Sequence, residues 1–230
     1  HEFCVSWVDC AARGQKAGRG VYMAGDFAAA ENRQPPPSRK KWRFPFTPPV
    51  SLVNRLSLRA FNTLYWHKAP SACHRAPVGY DPFFYPLDSL LDWNRLYGPK
   101  GFQQYQAVIP EREARDGIRA LLAAIAESGE GSFLAVLKRC GDVPSPGLLS
   151  FPQPGATLAL DFPHAQNLEE RLFPRLDAIV RAAGGRLYPA KDAHMQGEDF
   201  RRAYPDWEKV EALRDPLLLS SFWRRVTRCD

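Results

Sequence analysis

The chain has 230 residues, 45% hydrophobic and 24% charged, enough to bury the core of one large domain or of one domain with a short appendage. Its 31 Lys and Arg against 25 Asp and Glu leave a formal charge of +6, which favours anionic ligands or an acidic membrane surface. No stacking or helix-turn-helix signature accompanies that charge, so nucleic acid is not expected as a partner. Five scattered cysteines without a C-x-x-C pair argue against a disulfide framework and against a zinc site. A reducing compartment is expected, cytoplasmic or peripheral to the cell membrane, because neither a signal peptide nor an apolar run of the roughly 18 residues that span a bilayer is present.

Glu2 to Asp9 and Gly20 to Ala24 are rich in β-branched and aromatic residues and read as two strands around a loop. Since the first of them opens the chain, the expectation is a fragment that begins inside folded structure. Gln34 to Pro49 is basic and proline-rich, which opposes helix and sheet alike and predicts an extended surface loop, a solvated one or one touching an acidic ligand or lipid headgroups. Apolar residues at near-helical spacing predict a helix over Ser51 to Trp66, with Ser51 as its N-cap. Gly79 to Tyr85 reads as a strand, Pro86 to Arg95 as a turn and short helix, and Gly101 to Ile109 as a strand.

Ile118, Leu121, Leu122 and Ile125 form one stripe of a helix predicted from Pro110 to Ser128 and stopped by Gly129. Strands are predicted at Ser132 to Arg139 and Ala156 to Phe162, then a helix from Leu168 to Ala183 ended by Gly184-Gly185. A short strand from Arg186 to Ala190 and a helical, aromatic tail from Glu198 to Arg225 complete the order. It is that of an α+β fold, an antiparallel β-sheet with helices packed on one face.

Hydrolase, NTPase and metalloprotease motifs are absent, and the five histidines are scattered singly. Chemistry is sought instead on the strands. The two-residue period puts Gln104 and Gln106 on one face, and paired amides suit sugar hydroxyls because each offers donors and an acceptor. Lys138 ends an otherwise apolar strand on the face of Leu134 and Val136. Thr157, Ala159 and Asp161 share another face, where Asp161 reads equally as a strand-end cap. For each residue alone, an edge-of-sheet solvent position competes with a substrate contact.

Phe83-Phe84-Tyr85-Pro86-Leu87-Asp88, Asp92-Trp93-Asn94-Arg95-Leu96-Tyr97-Gly98 and Gln104-Tyr105-Gln106 together resemble the corresponding run of the decaprenylphosphoryl-β-D-ribose 2′-oxidase family, flavoenzymes of the vanillyl-alcohol-oxidase superfamily. The likeness begins at Trp7 and Gly18-Arg19-Gly20. It continues through Ser132-Phe133-Leu134 to Lys138, Asp161-Phe162-Pro163, Gly184-Gly185-Arg186-Leu187-Tyr188 and Ala190-Lys191-Asp192.

This resemblance implies an FAD-dependent oxidoreductase that oxidises a secondary alcohol of a sugar, a lipid-phosphate-linked pentose, by hydride transfer to flavin. It implies a substrate-binding domain over 1–183 and a segment over 184–230 that returns to the FAD-binding domain, with the N-terminal FAD-binding region missing from the chain. Lys191 matches the lysine between flavin and substrate, and Tyr188 is expected beside it at the cofactor. Gln104, Gln106, Lys138, Arg95, Leu134, Thr157, Phe84 and Trp7 are the expected substrate-binding set, its cations facing the phosphate. Ala159 stands in place of the reactive cysteine of mycobacterial members, Phe84 of a tyrosine, Thr157 of an asparagine and Cys140 of a phenylalanine. Two alternatives stay open: a non-catalytic binding fragment or partner subunit, and a sugar or lactone oxidase with a soluble substrate.

Overall fold

A computed structural model describes residues 1–29, 41–68, 73–191 and 194–228. Six antiparallel strands make the main sheet: β1 (Phe3–Val8), β2 (Gly20–Gly25), β5 (Phe102–Pro110), β6 (Val136–Cys140), β7 (Gly155–Pro163) and β8 (Arg186–Leu187), in the order β2-β1-β6-β7-β5-β8. The long β5–β7 pair is its spine, in register from Phe102↔Pro163 to Pro110↔Gly155. Alternation divides these two strands cleanly. Tyr105, Ala107 and Ile109 of β5 and Leu158, Leu160 and Phe162 of β7 point into the core, while Gln104, Gln106, Thr157, Ala159 and Asp161 take the opposite face.

Two helices close the core face, α3 (Ala114–Ser128) and α4 (Phe173–Ala182). Their stripes, with Leu121 and Ile125 on α3 and Leu176 and Val180 on α4, are fully buried against the sheet. The expected boundaries are close, with differences at the ends: a 3₁₀ turn over Glu111–Glu113 precedes α3, and a wider turn over Leu168–Leu172 precedes α4. Gly184, at φ 65°, ends α4 in the left-handed conformation that glycine adopts without strain.

The segment predicted to return elsewhere is joined to the same sheet. Ala107 and Val108 of β5 pair with Leu187 and Arg186 of β8, and Tyr204 donates to the Leu187 carbonyl at 2.6 Å. The tail forms α5 (Gly197–Ala203), α6 (Trp207–Leu213) and α7 (Ser221–Thr227). Phe200 and Tyr204, with Trp223 and Val226 of α7, belong to the core built on β5 and β7. Arg181 of α4 grips Asp199 of α5 through two bonds of 2.8 Å.

Several local expectations are corrected. Gly79 to Tyr85 is not a strand but holds the short helix α2 (Tyr80–Phe84); a brief aromatic run has no period of its own, and here Phe84 is set edge-on to Phe3 at 5.0 Å. Ser51 does not cap α1 (Arg55–Lys68). Asn54 does, its Oδ1 accepting from the amides of Leu56 and Ser57 at 3.0 and 3.2 Å. Residues 132–135 run ahead of β6 without joining it, and only two residues after Gly185 are strand, followed by a 3₁₀ turn at Pro189–Lys191. Within the expected proline-rich loop, β3 (Trp42–Arg43) pairs in parallel with β4 (Leu90–Leu91); residues 34–40 of that tract lie outside the described residues.

Nor are all helices on one face. A second small core of Val53, Leu58 and Tyr97, with Trp93, Leu96, Phe102 and Phe133 against it, covers one end of the opposite face. The Tyr65 ring of α1 lies 4.6 Å from that of Trp7 on β1.

Candidate functional site

The face of the sheet turned away from α3 and α4 gathers most of the residues singled out above. Cross-strand partners share a face, so the pairs Gln106↔Ala159, Val136↔Ala159, Lys138↔Thr157 and Trp7↔Val136 carry one surface from β5 across β7 and β6 to β1. Gln104, Gln106, Asp161, Lys138 and Trp7 are all on it. Phe84 approaches its far edge through Phe3, which lies two side-chain positions along β1 from Trp7.

Asp161 is the electrostatic centre of this face. It is only 4% exposed, and Gln104 Nε2 donates to its Oδ1 at 2.7 Å. Desolvation lifts its carboxyl to about 6, opposed by the Gln104 hydrogen bond and by the positive charge of Lys191. The backbone around it is fixed: its amide donates to Ser132 Oγ at 3.3 Å, and Tyr97 Oη donates to its carbonyl at 3.5 Å. A carboxyl that titrates near neutrality, with a cation close by, is the most chemically adaptable group on the face.

Lys191 and Tyr188 enter through the 3₁₀ turn after β8. The Tyr188 amide donates to the Gln106 carbonyl at 2.9 Å, and the Lys191 amide to that of Tyr188 at 3.1 Å, so both are indexed to β5. Tyr188 stacks on Phe151 at 4.6 Å. Lys191 is exposed and makes no ion pair with a described residue. Lys138 is likewise exposed; burial pushes the neighbouring Cys140 thiol up, and the Lys138 charge opposes that shift.

Four expected residues are engaged otherwise. Trp7 is buried, its indole Nε1 donating to the Phe133 carbonyl at 3.0 Å. Arg95 leaves the face: its Nη1 donates to the carbonyls of Phe44 and Pro45 at 3.1 and 3.3 Å, and Asp92 lies 3.4 Å from its other terminal nitrogen. Thr157 is on the face but buried, its hydroxyl donating to the Ala107 carbonyl at 2.9 Å. Leu134 is in the segment before β6, where Ser132 Oγ bonds both its amide and its carbonyl at 3.0 Å. Sequence reasoning passed over Arg186, which shares the face through its pairing with Val108 and anchors residues 150–153 by bonds to Gln153 Oε1 and the Ser150 carbonyl. A hollow of about 350 Å³ lies elsewhere, between the end of α3 and the turn before α4 near Arg171 and Arg175.

A polar sheet face bearing two amides, a buried carboxyl and exposed ammonium groups suits a polyhydroxylated, anionic ligand. Comparison with known proteins agrees with the class implied by the motifs. The chain is similar to decaprenylphosphoryl-β-D-ribose oxidase of Mycolicibacterium smegmatis, 32% identical over 231 aligned residues that cover 94% of this chain and 48% of that protein. It is also similar to an uncharacterised protein in the mprA 5′ region of Streptomyces coelicolor, 30% identical over 94% of this chain and 62% of the relative. The resemblance to such an oxidase thus extends over nearly the whole chain, which spans about half the length of the curated relatives it matches. No family model matches it.

Proposed function

We propose that this chain is the substrate-binding side of an FAD-linked oxidoreductase acting on a secondary alcohol of a sugar, a pentose carried on a lipid phosphate. The observation that carries the reading is the convergence of Gln104, Gln106, Asp161, Lys138 and Lys191 at one sheet face, in a chain similar to an oxidase of decaprenylphosphoryl ribose. In this reading residues 1–183 are the substrate domain, and 184–230, which pack into its core, carry Lys191 to the flavin.

The residues present fit such a cofactor. Lys191 presents an ammonium without an ion-pair partner among the described residues, as suits a group that gains negative charge. Bound FAD supplies hydride acceptance. Gln106 holds the sugar by its hydroxyls, Gln104 keeps Asp161 oriented, and Lys138 takes the phosphate as a point charge. Asp161, ionised above about pH 6, receives the proton of the reacting hydroxyl. The replacements at Phe84, Thr157, Ala159 and Cys140 tune which pentose or polyol is accepted. We place the protein in the cytoplasm or at the membrane periphery; no helix among the described residues is long and apolar enough to cross a membrane.

The test uses the full-length protein that contains this chain, loaded with FAD and mixed anaerobically with a polyprenyl-phosphoryl pentose or with the free pentose. Bleaching of the flavin by the lipid-linked sugar, at much lower concentration than by the free sugar, is expected. Equal efficiency would favour an oxidase of soluble sugars, and no bleaching by either would remove the oxidoreductase reading.

A further inference from the structure

Helix α1 is apolar on its outer face as well as its inner one. The face it buries carries Leu58 and Asn62, and Asn62 donates to the buried Asp9 carboxylate at 2.8 Å, which in turn holds Arg19 at 2.6 Å. Its solvent face carries Leu56, Ala60 and Leu64 at successive i, i+4 positions, while Phe61 and Tyr65 turn toward Phe133 and Trp7 at its margin. Leu56 is 78% exposed and Leu64 72%. An ordinary surface helix keeps its outer face polar, and an apolar stripe on the outside marks a surface that meets something.

The tract leading into α1 has the same character. Trp42 is 73% exposed, Phe46 61% and Val50 68%. This tract is anchored on the same 3₁₀ turn, Trp93–Tyr97, at two points: Arg95 donates to the Phe44 and Pro45 carbonyls, and the Leu52 amide donates to that of Leu96.

Charge identifies the occupant. From Lys41 to Lys68 the chain has five Lys and Arg and no Asp or Glu. Arg43 is paired with Asp92, while Lys41, Arg55, Arg59 and Lys68 have no ion-pair partner among the described residues. The core of a protein–protein contact is depleted in charge, whereas a helix lying in a bilayer interface combines Leu, Phe and Trp with cations that meet acidic headgroups. One-signed charge interleaved with exposed aromatic and aliphatic side chains therefore matches the second situation.

We propose that α1 and the tract from Lys41 into it form a docking surface for an anionic lipid bilayer, with Leu56 and Leu64 entering the headgroup region and Arg59 and Lys68, which flank them, held by lipid phosphates. This deepens the functional reading and rests on it in one respect. Tyr65 lies on Trp7, and Phe61 lies 4.7 Å from Phe133, so docking sets the candidate face next to the headgroups, where a lipid-linked sugar is presented.

Co-sedimentation of the full-length protein with phosphatidylcholine vesicles, with and without phosphatidylglycerol, tests this directly. Binding only to vesicles containing phosphatidylglycerol is expected, weakened by salt. Arg59→Gln/Lys68→Gln and Leu56→Glu/Leu64→Glu should each lower the partition constant by about tenfold or more. Both pairs are exposed, so folding is retained, and flavin reduction by a soluble substrate analogue should be unchanged. No binding to acidic vesicles, binding indifferent to both double substitutions, or protection of α1 from solvent by the rest of the protein before lipid is added would each overturn the proposal. Vesicle binding is read without turnover: flavin bleaching without vesicle binding rejects the docking surface alone, and vesicle binding without bleaching rejects the oxidoreductase alone.

Discussion

Gln104 and Asp161 meet across the β5–β7 pair, the amide nitrogen of one 2.7 Å from a carboxylate oxygen of the other. The bond joins two residues that the strand register already places opposite each other, so backbone pairing positions the carboxyl and the amide only completes it. Gln106, two residues along β5, has no such side-chain partner among the described residues.

This difference separates stability from binding. Gln104→Ala leaves the Asp161 carboxylate without its donor and should cost about 1–3 kcal/mol in urea unfolding. Gln106→Ala should change stability by less than about 0.5 kcal/mol and instead weaken the binding of a sugar ligand by the full-length protein. Equal stability losses at the two positions would mean that Gln106 is also structural.

Asp161 makes stability depend on pH with a definite sign. Its folded carboxyl titrates at about 6, while an unfolded aspartate titrates at about 4. Between these values the folded chain holds the extra proton, so stability falls as pH rises from about 4 to about 6 and stays at the lower level above. Asp161→Asn removes that dependence and still offers Gln104 an acceptor. Relative to wild type, the variant should therefore gain up to about 3 kcal/mol between pH 4 and pH 7. A difference that does not change with pH would show that Asp161 does not titrate in this range.

Much of this face was legible in the sequence because strands have the simplest period. Alternation around Tyr105 and Leu160 leaves Gln104, Gln106 and Asp161 on the far side without any knowledge of tertiary structure. Arg95 was not legible, since its direction is set by the Phe44 and Pro45 carbonyls of a distant loop. Neither was the engagement of Thr157, because its bond to the Ala107 carbonyl depends on the hydroxyl rotamer and not on the register. Phe84 misled for a third reason: a five-residue aromatic run has no length over which helix and strand periods separate. The face of α1 was hidden by the same pattern that revealed the helix, since apolar spacing gives a stripe but does not say which side is buried.

The tail should prove inseparable from the sheet. Phe200, Tyr204, Trp223 and Val226 are all buried in the core over β5 and β7, and losing even one large core side chain typically costs about 3–5 kcal/mol. A chain ending at Met195 is expected to lose cooperative thermal unfolding and to bind a hydrophobic dye at room temperature. Were it to melt cooperatively like the intact chain, 196–230 would be an appendage and not part of this fold.

Lys191 offers a test that needs neither substrate nor flavin. Its positive charge is one of the two influences that hold the Asp161 carboxyl down against burial, the other being the Gln104 hydrogen bond. Lys191→Ala removes the charge while leaving Gln104 in place, so the midpoint of the Asp161 carboxyl, followed by carbon NMR, should move upward from about 6. Because Lys191 is exposed, water screens part of its field, and raising the salt concentration should move the wild-type midpoint in the same direction. In the full-length protein the same substitution should sharply slow flavin reduction while the sugar still binds. An unmoved Asp161 midpoint would separate the two groups electrostatically, and normal flavin reduction would remove Lys191 from the site whatever the carboxyl does.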